Sequence, residues 1–392
     1  MLRDVSSTMA EPKFAALVDS IVADAGRRDE LLTLLREDHA LYRGRSAATI
    51  VRMRGWVLLA LERAGVSDAA LAFLLEELDT GVDPYLVAAA ARALRSYRRP
   101  NAALAPFVMG ALANIRYRDE PVSFDAYGVY AVSATGSSAV RELLATLAWL
   151  GPHAASAVPE LEALRAPGGL PAKLRGDVER ALQSVLGAPD PHDVAGTVSC
   201  CGPQVPMAAG GHRSEDIDSV LLEDHAGDRI SFNAFFRGQP SIVVFFYTRC
   251  DNPLKCSLSV AKLAQAQQLL DAQGVADRIR TAAVTYDPAY DLPARLRVYG
   301  LDRGVRMDAG HRLFRAVTGN QAVQGHFGLG VNYVGSLVNR HRIELHILDA
   351  QTRIAASFER LRWDEREVVA RAVEVLKATN SIPRLPIRRG RS

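Results

Sequence analysis

From residue 12 to about residue 187, apolar positions recur three and four apart. The pattern is clearest in "ATIVRMRGWVLLALERAG", "PYLVAAAARALRSY" and "RELLATLAWLGPHAASAVPELEAL" and predicts helix after helix, with no strand between them. Breaks fall at Gly65, Asp83-Pro84, Pro100 and Gly151-Pro152. Beyond residue 216 the period changes. "SVLLED" and "DRISF" flank "HAGD" as a hairpin does, and "SIVVFFYT" is a continuous apolar run expected of a strand covered on both faces. "SLSVAKLAQAQQLLDAQG" predicts an amphipathic helix with a Gly stop, and "IRTAAVTYD" a second buried strand. "DLPARLRVYG" and "GHRLFRAVTG" read as short helices, "RIELHILDA" with "TRIAASFE" as a hairpin, and "WDEREVVARAVEVLKAT" as a closing helix.

The 392 residues therefore divide into an all-α half over 1–187 and an α/β half over 217–379, each long enough for its own core. Helical breaks every 35 to 50 residues match the spacing of paired-helix repeats, and "TLAWLGPHAASAVPELEAL" resembles a HEAT-type repeat. That resemblance implies a solenoid whose usual work is to hold a peptide or protein partner. The strand, helix, strand order followed by a hairpin and a final helix is the thioredoxin-like arrangement. Between the halves, residues 188–216 are rich in Pro, Gly and Ala, read as a linker, and carry Cys200 and Cys201. Residues 380–392 read as a basic disordered tail.

A net charge of +3 is small for this length and points to no nucleic-acid partner. No window approaches the eighteen apolar residues of a membrane span, and the first residues lack a signal-peptide pattern, so a cytoplasmic protein without a membrane anchor is expected. In that reducing compartment cysteines are more often metal ligands or redox groups than structural disulfides. Four are present, and Cys250 and Cys256 lie where a buried strand gives way to a loop and a helix. A helix N-terminus, with Arg249 and Lys255 beside it, favours thiolate over thiol. The intervening "DNPLK" can turn, so that both sulfurs reach one ion.

Residues 215 to 378 resemble the Sco/SenC proteins, thioredoxin-fold copper chaperones of cytochrome oxidase assembly. The resemblance rests on "FFYTRCDNPLKCSLSVAKLAQ", "AAVTYDPAYDLPARLRVYG" and "VNRHRIELHILDA". It implies copper, as Cu(I) or Cu(II), held by Cys250, Cys256 and His341. It departs from the family in spacing, with five residues between the cysteines where the family usually has three.

The residues leave three functions open. The first is a copper-binding protein, either a metallochaperone or a copper-dependent oxidoreductase acting on a bound peptide or metabolite. The second is a thiol-disulfide oxidoreductase or thiol peroxidase in which Cys250 or Cys256 attacks and another cysteine resolves. The third is an interaction module with an inert thioredoxin-like half. Cys200 and Cys201 are further candidates as metal ligands or resolving thiols. His311 and His326 are substitute ligands, whereas His346 reads as a satisfied sheet residue. Asp287 and Asp291 are expected to cap the helix beginning near Leu292, and "GLGVNYVG" to form a flexible wall of the site.

Overall fold

The computed structural model describes residues 5–128, 136–187 and 215–381. Cys200, Cys201, nearly all of the 188–216 linker and the basic tail lie outside the described residues. Internal contacts divide the chain into one unit of Met1–Val205 with Gly330–His341 and another of Pro206–Leu329 with Arg342–Ser392.

The first unit is helical: α1 (Glu11–Ala23), α2 (Asp29–Leu34), α3 (Ala47–Ala64), α4 (Asp68–Thr80), α5 (Pro84–Leu94), α6 (Ala105–Ile115), α7 (Ala139–Leu150), α8 (Val158–Arg165) and α9 (Arg175–Val185). Local chemistry sets these limits. The Ser46 and Ser67 hydroxyls accept the Thr49 and Ala70 amides, both at 3.3 Å, and cap α3 and α4. Asp83 accepts the Tyr85 and Leu86 amides ahead of Pro84, which opens α5. Gly65, at φ 85°, closes α3, and Gly151, at φ 54°, closes α7, as their positions in the sequence suggested.

Helices α1, α3, α5, α7 and α9 pack in succession, while α4 packs on α5 and α6, α6 on α7, and α8 on α9. The alanine run of α5, Ala88 to Ala91, is fully buried. Gly55 lets α3 close on it: a Cβ there would stand 2.1 Å from the Tyr85 ring. One expectation fails here. The strands β1 (Pro121–Val122) and β2 (Ser137–Ser138) pair antiparallel inside the helical half. Two residues apiece are too few to show a period of two.

The second unit carries β3 (Leu221–Asp224), β4 (Arg229–Ser231), α10 (Phe232–Phe236), β5 (Ser241–Phe246), α11 (Leu258–Ala272), β6 (Arg280–Thr285), α12 (Pro293–Asp302), β7 (His311–Ala316) and α13 (Asn320–Phe327). Next come β8 (Val331–Val334) and β9 (Leu337–His341), the hairpin counted with the helical unit, then β10 (Glu344–Leu348), β11 (Ile354–Glu359) and α14 (Glu365–Ser381). One mixed sheet runs β11-β10-β5-β6-β7-β3-β4, with β5, β6 and β7 parallel and the outer strands antiparallel.

The run "SIVVFF" is buried at every position, as a strand covered on both faces requires. Neighbouring rings lie on opposite faces: Phe246 stacks on Tyr299 of α12, and Phe245 meets Phe327 of α13 edge-on. Two expectations are corrected. "GHRLFRAVTG" contains β7, because its apolar residues sit between β6 and β3 and their ladders satisfy its backbone. "GLGVNYVG" contains β8 and the turn of a hairpin, so it is ordered backbone rather than a flexible wall.

Candidate metal centre

Strand β5 ends at Phe246, and the chain then turns through Tyr247 to Cys250, whose amide donates to the Tyr247 carbonyl at 3.3 Å. Asn252 accepts the Leu254 amide at 3.0 Å and opens a single wide turn, Pro253–Ser257, that runs into α11. Such π turns concentrate at functional sites, and this one brings Cys256 back beside Cys250. The five intervening residues thus fold as one compact loop.

His341 is the last residue of β9, paired with Val331, and three residues later the chain enters β10 beside β5. Its position before β10 agrees with the sequence; that it ends a strand of its own does not. One ligand atom from each of Cys250, Cys256 and His341 lies within 4.8 Å of the other two. Among the described residues this is the group of three such side chains able to hold a metal ion. Cys256 is 1 % exposed and His341 5 %, whereas Cys250 is half-buried, so the site opens toward solvent on the Cys250 side. A metal–thiolate bond of about 2.3 Å places ligand atoms of one ion roughly 3.5 to 4 Å apart, so closure requires a contraction of about 1 Å or less.

Burial pushes the Cys256 thiol well above its ordinary value, and the hydrogen bond and charge of Cys250 push the same way. Lys255 opposes them, as the sequence suggested, but by less. The expected preference for thiolate at Cys256 is therefore corrected: desolvation outweighs the nearby positive charge. An ion binding here would have to displace the proton.

The loop is braced from below. Asp291 is fully buried and accepts the Thr248 amide at 3.1 Å together with the hydroxyls of Thr248 and Thr285. Asp287 pairs with Arg249, whose guanidinium lies 3.8 Å over the Tyr290 ring. The expected capping of α12 is absent: its N-cap is Leu292 and makes no side-chain cap bond. Both aspartates instead tie the ends of β5 and β6 together, a role not readable without knowing that these strands are neighbours.

The other histidines lie elsewhere. His311 bonds Thr281 at 2.9 Å and also contacts Arg306; His326 packs against Phe232 and Phe327. His346 lies inside the sheet as expected and bonds Ser357 at 2.8 Å through Nδ1, but it is only half satisfied, because its buried Nε2 has no hydrogen-bond partner. Three tyrosines escaped the sequence reading. Tyr247, Tyr286 and Tyr299 are buried, which pushes each phenol up, and the charge of Cys256 adds to all three. Tyr286 donates to Glu344 at 2.5 Å. Only Tyr247, three residues before Cys250, gave a signal in the sequence.

Residues 218–376 match the SCO1/SenC family model. The match covers somewhat less than half of the chain, contains all three clustered residues and leaves the helical half outside. With the mixed sheet, it assigns this half the thioredoxin-like fold of SCO1/SenC proteins. Solved Sco structures align with the same portion. Copper-bound ScoI from Bradyrhizobium japonicum is 17% identical over 40% of this chain and 96% of its own, with a TM-score of 0.33. Copper-bound Arabidopsis thaliana ScoI is 16% identical over 41% and 99%, with a TM-score of 0.35. Copper-bound yeast Sco1 is 21% identical over 43% and 89%, with a TM-score of 0.33. A comparison with curated proteins gives no match.

Proposed function

We propose that this protein binds one copper ion through Cys250, Cys256 and His341. The observation that carries the reading is the convergence of two thiols and one imidazole within 4.8 Å inside a segment matching the SCO1/SenC model. The donor set fits copper: thiolates select Cu(I), and imidazole accommodates Cu(I) and Cu(II). Copper would supply a one-electron couple. The chain's residues hold the donors, with Cys256 and His341 buried and Cys250 at the open side, where a partner's ligand can approach and exchange the ion. That opening favours delivery or acceptance of copper over oxidation of a substrate in a closed pocket. The succession of helix pairs supports a HEAT-like scaffold that presents a protein or peptide partner. Both thiols must be reduced for the site to form, which suits a reducing compartment such as the cytoplasm.

The adjacency of the two thiols also favours a second reading, a dithiol–disulfide couple acting in thiol exchange. Elemental analysis of protein purified anaerobically after copper-supplemented expression separates the two. Near-stoichiometric copper that Cys250→Ser, Cys256→Ser and His341→Ala each lose supports the copper site. Metal-free protein that forms a Cys250–Cys256 disulfide on oxidation, with His341→Ala unchanged in exchange rate, would leave the thiol reading in its place. Copper beyond one equivalent that is lost only from a Cys200→Ser/Cys201→Ser variant would add a second site.

A further inference from the structure

His341 stands between two arginines, and both are anchored. Arg342 donates to Glu344 at 2.7 Å and to the Gly328 carbonyl at 2.7 Å, and pairs with Glu359 at 3.2 Å. Arg340 pairs with Glu77, a residue of α4. Glu77 is no ordinary surface partner: its side chain is 4 % exposed, and it also lies 3.4 Å from Arg54, which sits 3.2 Å from Glu37. The Arg54 and Glu37 side chains are almost wholly excluded from solvent. A buried carboxylate shared by two guanidiniums holds a fixed place, since moving it would strand charge in a desolvated interior.

Other bonds fix the same hairpin within the helical unit. The Asn339 side-chain amide donates to the Arg45 carbonyl at 3.1 Å, and the Gly44 amide donates to the Tyr333 carbonyl at 3.3 Å. Both strands, β8 and β9, are therefore tied to the α2–α3 connection, and the end of β9 to α4. Side chains alternate along a strand, so Arg340, which precedes His341 in β9, lies on the opposite face from it. The ion pairs of Arg340 and Arg342 hold the backbone on either side of the imidazole, whose ligand atom lies within 4.8 Å of the two thiols.

We infer that Glu77 is a positioning residue for the metal centre, holding Arg340 so that the adjoining His341 is presented to Cys250 and Cys256. Glu77, Arg340 and His341 belong to one compact unit, and the inference rests on the copper reading above. Its loss should weaken the imidazole's hold on the ion while the two thiols remain.

The test uses the full-length protein and copper alone. Wild type, Glu77→Gln, Arg340→Met and His341→Ala are loaded with Cu(II) and examined by electron paramagnetic resonance for nitrogen hyperfine coupling. Cu(I) retention is measured against a colorimetric chelator. Glu77→Gln and Arg340→Met are expected to lose or broaden the nitrogen coupling toward the His341→Ala spectrum and to retain Cu(I) about tenfold less well, the lower end of the range for residues that orient ligands. A purely structural role would lower the melting temperature and leave the nitrogen coupling of the folded fraction intact. Arg340, at the more exposed end of the pair, keeps the test open if Glu77→Gln does not fold. Wild-type nitrogen coupling and retention in both variants would overturn the inference and leave the copper reading standing. Wild-type protein that takes up no copper, or that binds it as His341→Ala does, would overturn both.

Discussion

Replacing Asp291 tests whether the cysteine loop is held from beneath. Its carboxylate is 0 % exposed and accepts three hydrogen bonds, from the Thr248 amide and from the hydroxyls of Thr248 and Thr285. Thr248 lies two residues before Cys250, so this carboxylate connects the end of β6 to the start of the metal loop. A hydrogen bond to a charged group contributes about 1.5 to 3 kcal/mol, and three at one buried acceptor do not add in full. Asp291→Ala leaves three donors without their acceptor, at about 1 to 3 kcal/mol each and less than additive, so the expected loss is about 3 to 5 kcal/mol. Over a unit of this size each kcal/mol lowers the melting temperature by about 2 to 4 °C, so the transition of the sheet unit should fall by roughly 10 °C. Asp291→Asn keeps one acceptor oxygen but turns an NH2 toward donors, and should fall between Asp291→Ala and Thr285→Val, which removes one donor at about 1 kcal/mol. Copper retention should drop in the same order, by about 10- to 100-fold at the extreme. Calorimetry of the metal-free proteins and chelator competition of the loaded ones give both series. An Asp291→Ala protein that melts within about 1 kcal/mol of wild type and retains copper equally would refute the brace.

Three further outcomes follow. Burial lowers the pKa of His346 to about 3, so the folded state excludes a proton that the unfolded chain takes up below its ordinary value of about 6.5; stability should therefore fall as pH drops from about 6.5 toward 3, by about 1.4 kcal/mol per pH unit, and urea titrations of His346→Phe should show a flatter acid slope. Gly55→Ala puts a methyl against the Tyr85 ring and should destabilise the helical unit by about 1 to 3 kcal/mol, with copper stoichiometry unchanged; undiminished thermal stability would show that α3 and α5 are less closely packed than described. Because the Cys256 thiol is held above its ordinary value, metal uptake must release its proton, so apparent affinity should rise about tenfold per pH unit below that raised value, and calorimetry in buffers of different ionisation enthalpy should show the proton leaving.

What the sequence made legible follows physical range. Helices in the first half and the fully buried β5 announce themselves because their signals are local: a period of three to four, a serine or aspartate cap, an apolar run bounded by turns. The metal centre was legible for another reason. Cys250 and Cys256 are close in sequence, and His341 was assigned through the resemblance to Sco/SenC proteins, which places it just before a strand; that strand, β10, lies beside β5. What failed was whatever depends on neighbours distant in the chain. "HRLFRA" is a strand because β6 and β3 flank it, and nothing within the six residues records those ladders. Asp287 and Asp291 looked like helix caps because a cap is the nearest use for an aspartate; their actual partners, Arg249, Thr248 and Thr285, require the parallel pairing of β5 and β6.

The same distinction explains why thiolate was expected at Cys256 and does not prevail. Lys255 and the following helix can be read from the sequence, and Lys255 acts in the direction supposed. Burial cannot be read there, since Tyr247, Tyr286 and Tyr299, the buried phenols that feel the charge of Cys256, are gathered from separate stretches of the chain. Desolvation of a thiolate grows with every apolar group that closes around it, whereas one partly screened lysine contributes once. A soft ion reverses that balance, because it supplies the positive charge at bonding distance and makes the buried thiolate the stable form. On the copper reading proposed above, a buried Cys256 whose thiol is pushed up by desolvation, beside a half-buried Cys250, would yield its proton only to a bound ion held by Cys250, Cys256 and His341.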